Sequence, residues 1–238
     1  MKRLLKADSM SGPPQSGRAG KVDYMGELSG LVAIWYREFK VFTREKARVI
    51  SSVMNPLLFL VIFGAGLGSS VTVQDINYQA FIYPGIIAMA MLFTSVFYGV
   101  YIVWDKMIDF LKEVLVAPIS RTTIFFGKVL GGVTDAMIQG SILIVFGVIL
   151  GVKINPWGLP SAYLTMFVTS VGLVGIGLLI GSLMERPEGF QLISSFLIFP
   201  LFLLSGALFP IEDLPLWLAP LTYADPLTTA LTPYAFSF

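Results

Sequence analysis

The 238-residue sequence contains no cysteine and no histidine. Those absences exclude disulfides, thiolate nucleophiles, imidazole bases and the commonest zinc ligands at once. Charge is scarce too: Asp, Glu, Lys and Arg make up 13% of the chain, about half the share of a soluble domain. A net charge of +1 offers no basic excess for a nucleic acid. A G-x-x-x-x-G-K-[ST] phosphate loop is missing, because Gly127-Lys128 is followed by Val129 and Thr122 stands where the first Gly belongs. The chain therefore has no such means of binding ATP, and any energy source is expected from a partner. No secretory signal is visible, since the first apolar run begins only near Val49.

What the sequence has instead is apolar length, with 55% hydrophobic residues. A helix needs about 20 apolar residues to cross a bilayer. Uncharged runs of 26, 29, 31 and 23 residues lie between Arg48 and Asp75, Asp75 and Asp105, Lys153 and Glu185, and Glu188 and Glu212. A further run, Val129 to Val152, is interrupted by Asp135. Insertion scales assign about 2.5–3.5 kcal/mol to a central Asp, against about 0.3–0.6 kcal/mol gained for each Leu, Ile, Val or Phe. Twelve such residues between Val129 and Leu150 outweigh the Asp. The expectation is an all-α, polytopic transmembrane helical bundle with five spans, at about 50–68, 81–104, 129–150, 161–183 and 190–210. A β-barrel needs alternating segments of about ten residues, and these runs are far longer and apolar throughout.

Orientation follows from Lys and Arg. Ten of the sixteen precede the first span, four (Lys106, Lys112, Arg121, Lys128) lie between spans two and three, and Arg186 lies between four and five. Lys153 alone falls on the other side, so the N-terminus and the 105–128 loop are expected in the cytoplasm. Residues 1–26, rich in Ser, Gly, Pro and charge, read as a flexible cytoplasmic tail. Residues 27–238 form the membrane domain. Within it, 28–48 carries Leu28, Leu31, Val32, Trp35, Phe39 and Phe42 at helical spacing, with Arg37, Lys40, Arg44 and Arg48 on the remaining face. That pattern predicts an amphipathic helix at the headgroup boundary, anchored by Trp35.

In the cytoplasmic loop, Met107, Ile108, Leu111, Val114 and Leu115 form one helical face. Asp105, Lys106, Asp109, Lys112 and Glu113 form much of the other, and Pro118 ends the helix. Such a two-faced helix suits a groove on a soluble partner or the membrane surface. Asp135 and Gln139 share a face inside a span; they mark either a substrate pathway or an interfacial Asp paired with a base such as Lys128. Glycine pairs four apart (Gly64/Gly68, Gly127/Gly131, Gly147/Gly151, Gly177/Gly181) predict close helix packing. Asn55-Pro56 and Pro200 are expected to kink their spans, and the frequent prolines of 211–238 predict short helical pieces at the outer surface.

Four ordered segments resemble the membrane subunit of type-2 ABC transporters, the permease class of drug and polysaccharide exporters. They are the basic helix before span one; Tyr78-Gln79-Ala80-Phe81-Ile82-Tyr83-Pro84-Gly85; Leu115-Val116-Ala117-Pro118-Ile119-Ser120-Arg121 leading to Gly127-Lys128; and Leu203-Leu204-Ser205-Gly206-Ala207-Leu208-Phe209-Pro210. The resemblance implies a multi-pass protein of the cell membrane that pairs with a second permease copy, identical or related, and with separate ATPase subunits. ATP and Mg would be held by those partners, with no cofactor on this chain. The 105–117 helix would be the coupling element, through Asp105, Met107, Ile108, Asp109, Leu111, Lys112, Glu113 and Val114. An ATPase-independent secondary transporter or channel is the alternative. The family usually has a sixth span, whereas Pro226 to Phe238 leaves 13 residues, too few to cross. The expectation is a truncated or five-span form ending outside.

Overall fold

The structure is a computed structural model that describes residues 24–67, 72–73, 76–117, 119–150, 152, 155–205 and 222. The expected tail up to residue 23, and the outer segment 211–238 apart from Thr222, lie outside the described residues. The chain runs α1 (Tyr24–Arg44), α2 (Lys46–Leu67), α3 (Tyr78–Phe97), α4 (Val100–Met107), α5 (Phe110–Val116), α6 (Arg121–Ile149), α7 (Leu159–Leu183) and α8 (Pro187–Leu204). A two-residue antiparallel ladder, Thr72–Val73 with Ile76–Asn77, precedes α3. The fold is a polytopic helical bundle.

Among the described residues, four helical stretches are long and apolar enough to cross a membrane: Ile82–Met107, Arg121–Ile149, Pro156–Leu183 and Pro187–Leu204. The first expected span corresponds to α2, a 22-residue helix whose side chains are described only as far as Ile62. The expected 28–48 helix divides at Glu45, so Arg48 belongs to the first turn of α2 rather than to the surface helix.

The bundle is built around α3. One core joins it to α2, α6 and α7 through Leu60, Ile82, Ile86, Leu143 and Met166. A second core joins it to α7 and α8 through Leu92, Val96, Leu173, Ile198 and Phe202. Close approach comes from glycine. A Cβ on Gly99 would lie 1.9 Å from the Gly177 carbonyl oxygen, and one on Gly181 would lie 2.2 Å from the Gly99 oxygen. The α3–α4 break at Tyr98–Gly99 therefore sits where α7 crosses at backbone contact, as the Gly177/Gly181 spacing predicts.

Helix ends are satisfied locally. The Ser120 hydroxyl caps α6 by accepting from the Thr123 backbone N–H at 3.1 Å. Pro187 occupies the first turn of α8, where its missing N–H costs nothing. Lys106 Nζ donates to the carbonyls of Gly181 and Met184, each at 3.1 Å, and also to that of Ser182. These carbonyls lie at the C-terminal end of α7, where the helix runs out of its own N–H donors; that of Gly181 also accepts the Met184 N–H at 3.3 Å.

Candidate functional site

The polar chemistry collects where α1 crosses the C-terminal end of α4 and the N-terminal part of α6. Helix α6 has 29 residues, about 43 Å at 1.5 Å per residue, so it exceeds the roughly 30 Å hydrocarbon layer. Lys128 projects from its second turn and is buried. Its ammonium donates to Glu38 Oε1 at 2.9 Å and to Asp105 Oδ2 at 2.5 Å. Arg37 closes the ring: Nη2 donates to Asp105 Oδ1 at 2.8 Å, and Nη1 to Asp105 Oδ2 at 3.2 Å and Glu38 Oε1 at 2.7 Å. The Tyr98 hydroxyl donates to Glu38 Oε2 at 3.0 Å. Two cations face two carboxylates, so the cluster is balanced, as burial of charge requires.

A second tie lies deeper. Arg48 Nη2 donates to Asp135 Oδ2 at 2.6 Å, while its guanidinium lies 4.6 Å from the ring centre of Tyr101. The other oxygen, Asp135 Oδ1, is buried with no partner among the described residues. One turn further along α6, Gln139 Nε2 donates to the Ser52 carbonyl at 2.5 Å and its Oε1 accepts from Thr94. The cause lies in the sequence of α2. Pro56 has no N–H to give Ser52, four residues before it, so that carbonyl needs a partner from elsewhere.

Helix α1 is also pinned at its start and middle. Glu27 accepts from the Ser120 N–H at 2.8 Å, the Ser120 hydroxyl at 3.0 Å and the Thr123 hydroxyl. Trp35 Nε1 donates to Thr134 Oγ1 at 3.0 Å. The bond from Thr123, opposed by desolvation and reinforced by Ser120, holds the Glu27 carboxyl below its usual pKa. A lowered carboxyl stabilises the docked form above its unfolded pKa, and that contribution is lost as pH falls through the folded value. Protection of the α1 amides, measured against their intrinsic exchange rates, should therefore fall below about pH 4.3. The Glu27→Gln variant should exchange faster at neutral pH and lack that acid step.

Between α4 and α5 the chain turns at Asp109, which has a positive φ of 56°, a conformation that Asp tolerates better than most residues. Past this elbow no residue of α5 is buried. Asp109, Lys112 and Glu113 are exposed, with Lys112 Nζ 2.6 Å from Asp109 Oδ1. Met107, Ile108, Leu115 and Val116 are exposed apolar side chains on the same elbow. Residues 29–236 match the family described as "ABC-2 type transporter".

This chain belongs to the ABC-2 type transporter family. It is a membrane permease, and a partnership with an ABC ATPase goes with the family. Among similar proteins, the putative transport permease ycf38 of Cyanophora paradoxa is 29% identical over 218 residues, 89% of this chain and 74% of the relative. The inner membrane transport permease YadH of Escherichia coli is 26% identical over 217 residues, 87% of this chain and 82% of the relative. The probable multidrug ABC transporter permease YbhR of Escherichia coli is 30% identical over 158 residues, 64% of this chain but only 42% of the relative.

The permease differs from its sequence reading at several points. The two-faced helix expected from Asp105 is broken in two. Asp105 is buried at the end of the second span because Lys128 and Arg37 claim both its oxygens, and Lys106 caps α7. Asp105 presents no face to a soluble partner and Lys106 is half-buried, as are Leu111 and Val114, whereas Met107, Ile108, Asp109, Lys112 and Glu113 are exposed. Of the basic surface of the first helix, Lys40 and Arg44 are exposed, while Arg37 and Arg48 turn inward. Asp135 pairs with Arg48 rather than with Lys128. Asp135 and Gln139 are both buried, and neither lines the groove of about 440 Å³ that α6 and α7 form with Val133, Met137, Ser141, Tyr163 and Phe167. Glu38, Tyr98 and Glu27 were missed altogether. Glu38 had one readable signal: it interrupts the apolar stripe of Leu31, Trp35 and Phe42, so its carboxylate faces inward.

Proposed function

We propose that this permease is the transmembrane subunit of an ATP-driven exporter in the cell membrane. It works with a second permease copy and moves a drug-like, lipid or oligosaccharide substrate outward. The names of the relatives support transport of this kind, YbhR being called a multidrug permease. The observation that carries the docking role is the elbow itself. The end of α4, the turn at Asp109 and the seven-residue α5, which has no buried side chain, together display Met107, Ile108, Leu115 and Val116 beside Asp109, Lys112 and Glu113. An apolar patch edged by both charge signs suits a grooved protein partner, with ATP and Mg held on that partner.

Affinity purification of the membrane complex should retain an ATPase subunit. Changing Asp109, Lys112 and Glu113 together to Ala should lower that retention by about tenfold, since each rim contact contributes only tenths of a kcal/mol to about 1 kcal/mol. Retention unchanged by the triple variant would remove α5 from the docking surface.

A further inference from the structure

Helix α5 is weakly seated. It follows a left-handed hinge residue, buries none of its side chains, and overlies a cavity of about 190 Å³ whose lining includes Ala33, Ile34, Arg37, Phe110, Val114 and Ile124. A helix resting on a void has room to shift, because few atoms need to be displaced when it does. One interaction spans the gap. The guanidinium carbon of Arg37 lies 4.0 Å from the centre of the Phe110 ring, within cation–π range. That same guanidinium forks onto Asp105 and donates to Glu38, the two carboxylates that Lys128 holds against α6.

We propose that Arg37 is a positioning residue that reads where α5 sits, through Phe110, and passes that position to the ion cluster joining α1, α4 and α6. This deepens the docking role proposed above and rests on it. A planar guanidinium suits the task. Its face can follow the ring while its edge holds two carboxylates, and a lysine ammonium offers no such pairing of face and fork. When a docked ATPase presses α5 toward the cavity, Phe110 carries Arg37 with it. The Arg37 bonds to Asp105 and Glu38 then rearrange without parting from them, so that Arg37 and Lys128 together still balance the two acids. The cluster thus has two arrangements without stranding a buried charge, and both sites bias that equilibrium.

The absence of cysteine makes the test direct, since any introduced pair is unique in the chain. Ala33→Cys and Val114→Cys place thiols on opposite walls of the cavity. In proteoliposomes containing the permease and its ATPase, the rate of bifunctional maleimide cross-linking is measured without nucleotide and with ATP, Mg and vanadate. The rate should change about fivefold, the low end of ordinary allosteric coupling. Phe110→Tyr, which keeps the ring, should preserve the response. Phe110→Leu and Arg37→Gln should abolish it while ATPase retention stays unchanged. Phe110→Leu removes the ring but no charge of the ion cluster, so it still decides the matter if Arg37→Gln fails to fold. A nucleotide response that survives Phe110→Leu, with the ATPase retained, overturns the role of Arg37 and leaves docking intact. An unsubstituted permease that retains no ATPase overturns both.

Discussion

Lys128→Met should be among the most damaging single substitutions in the permease, lowering stability by about 3–5 kcal/mol. Lys128 is buried and neutralises two buried carboxylates, Glu38 and Asp105. The methionine fills similar space, so loss of packing is a minor part. The cost comes from leaving two acids facing the single charge of Arg37, one negative charge in excess in a desolvated site. Thermal unfolding of the detergent-purified protein, followed by tryptophan fluorescence, should show a large fall in midpoint. Adding Asp105→Asn to Lys128→Met removes the surplus charge and should restore part of the loss, a coupling of about 1–3 kcal/mol. Strictly additive penalties would mean that the four groups do not act as one balanced unit.

Gly99→Ala is expected to be comparably severe, for a steric reason. The added Cβ would lie 1.9 Å from the Gly177 carbonyl oxygen, and a Cβ on Gly177 would lie 2.3 Å from that of Val96. Those are backbone atoms of packed helices, which no side-chain rotation relieves. Gly99 is the N-cap of α4, a position where Gly is itself preferred over Ala, so propensity does not offset the clash. Overpacking typically costs about 1–3 kcal/mol and occasionally more, and backbone contact puts Gly99 at the upper end. Gly175→Ala, on the same α7, meets nothing within 4 Å and should be neutral or slightly stabilising. Thermal unfolding midpoints of the two variants compare them directly. Equal midpoints would show that α4 and α7 do not cross at backbone distance.

The difference between those two glycines marks the limit of what the sequence reveals. Spacing singled out Gly177 and Gly181, and both sit at the crossing. Helices were legible wherever apolar length set them, because a bilayer-spanning run leaves the backbone few alternatives. The site was legible only where its chemistry is local. The exposed elbow around Lys112 and Glu113 follows from neighbouring residues and a nearby helix stop. Asp105 looked like part of the same exposed face, since its partners Arg37 and Lys128 lie 68 and 23 residues away in sequence. Pairing across helices is decided by packing, and nothing near Asp105 announces it. Gln139 was singled out for its place inside a span, and its partners were not legible. A polar side chain in a span does need a reason, but here the reason is a proline 83 residues earlier that frees the Ser52 carbonyl.

The ties between the N-terminal helices and α6 also bear on how the protein is made. Lys128 and Asp135 belong to one helix, and a charge carried unpaired into lipid is costly, by about 2.5–3.5 kcal/mol at a helix centre and less towards its ends. Glu38 and Arg48, which neutralise them, are translated some 90 residues earlier (38 against 128, and 48 against 135). Synthesis from the N-terminus therefore has the counter-ions waiting at the membrane before the helix that needs them leaves the ribosome. Helix α1 and the start of α2 are thus made before the helix whose charged groups they pair with. Loss of Glu38 or Arg48 leaves a buried partner on α6 without its counter-charge, a cost that falls on assembly before any question of transport arises.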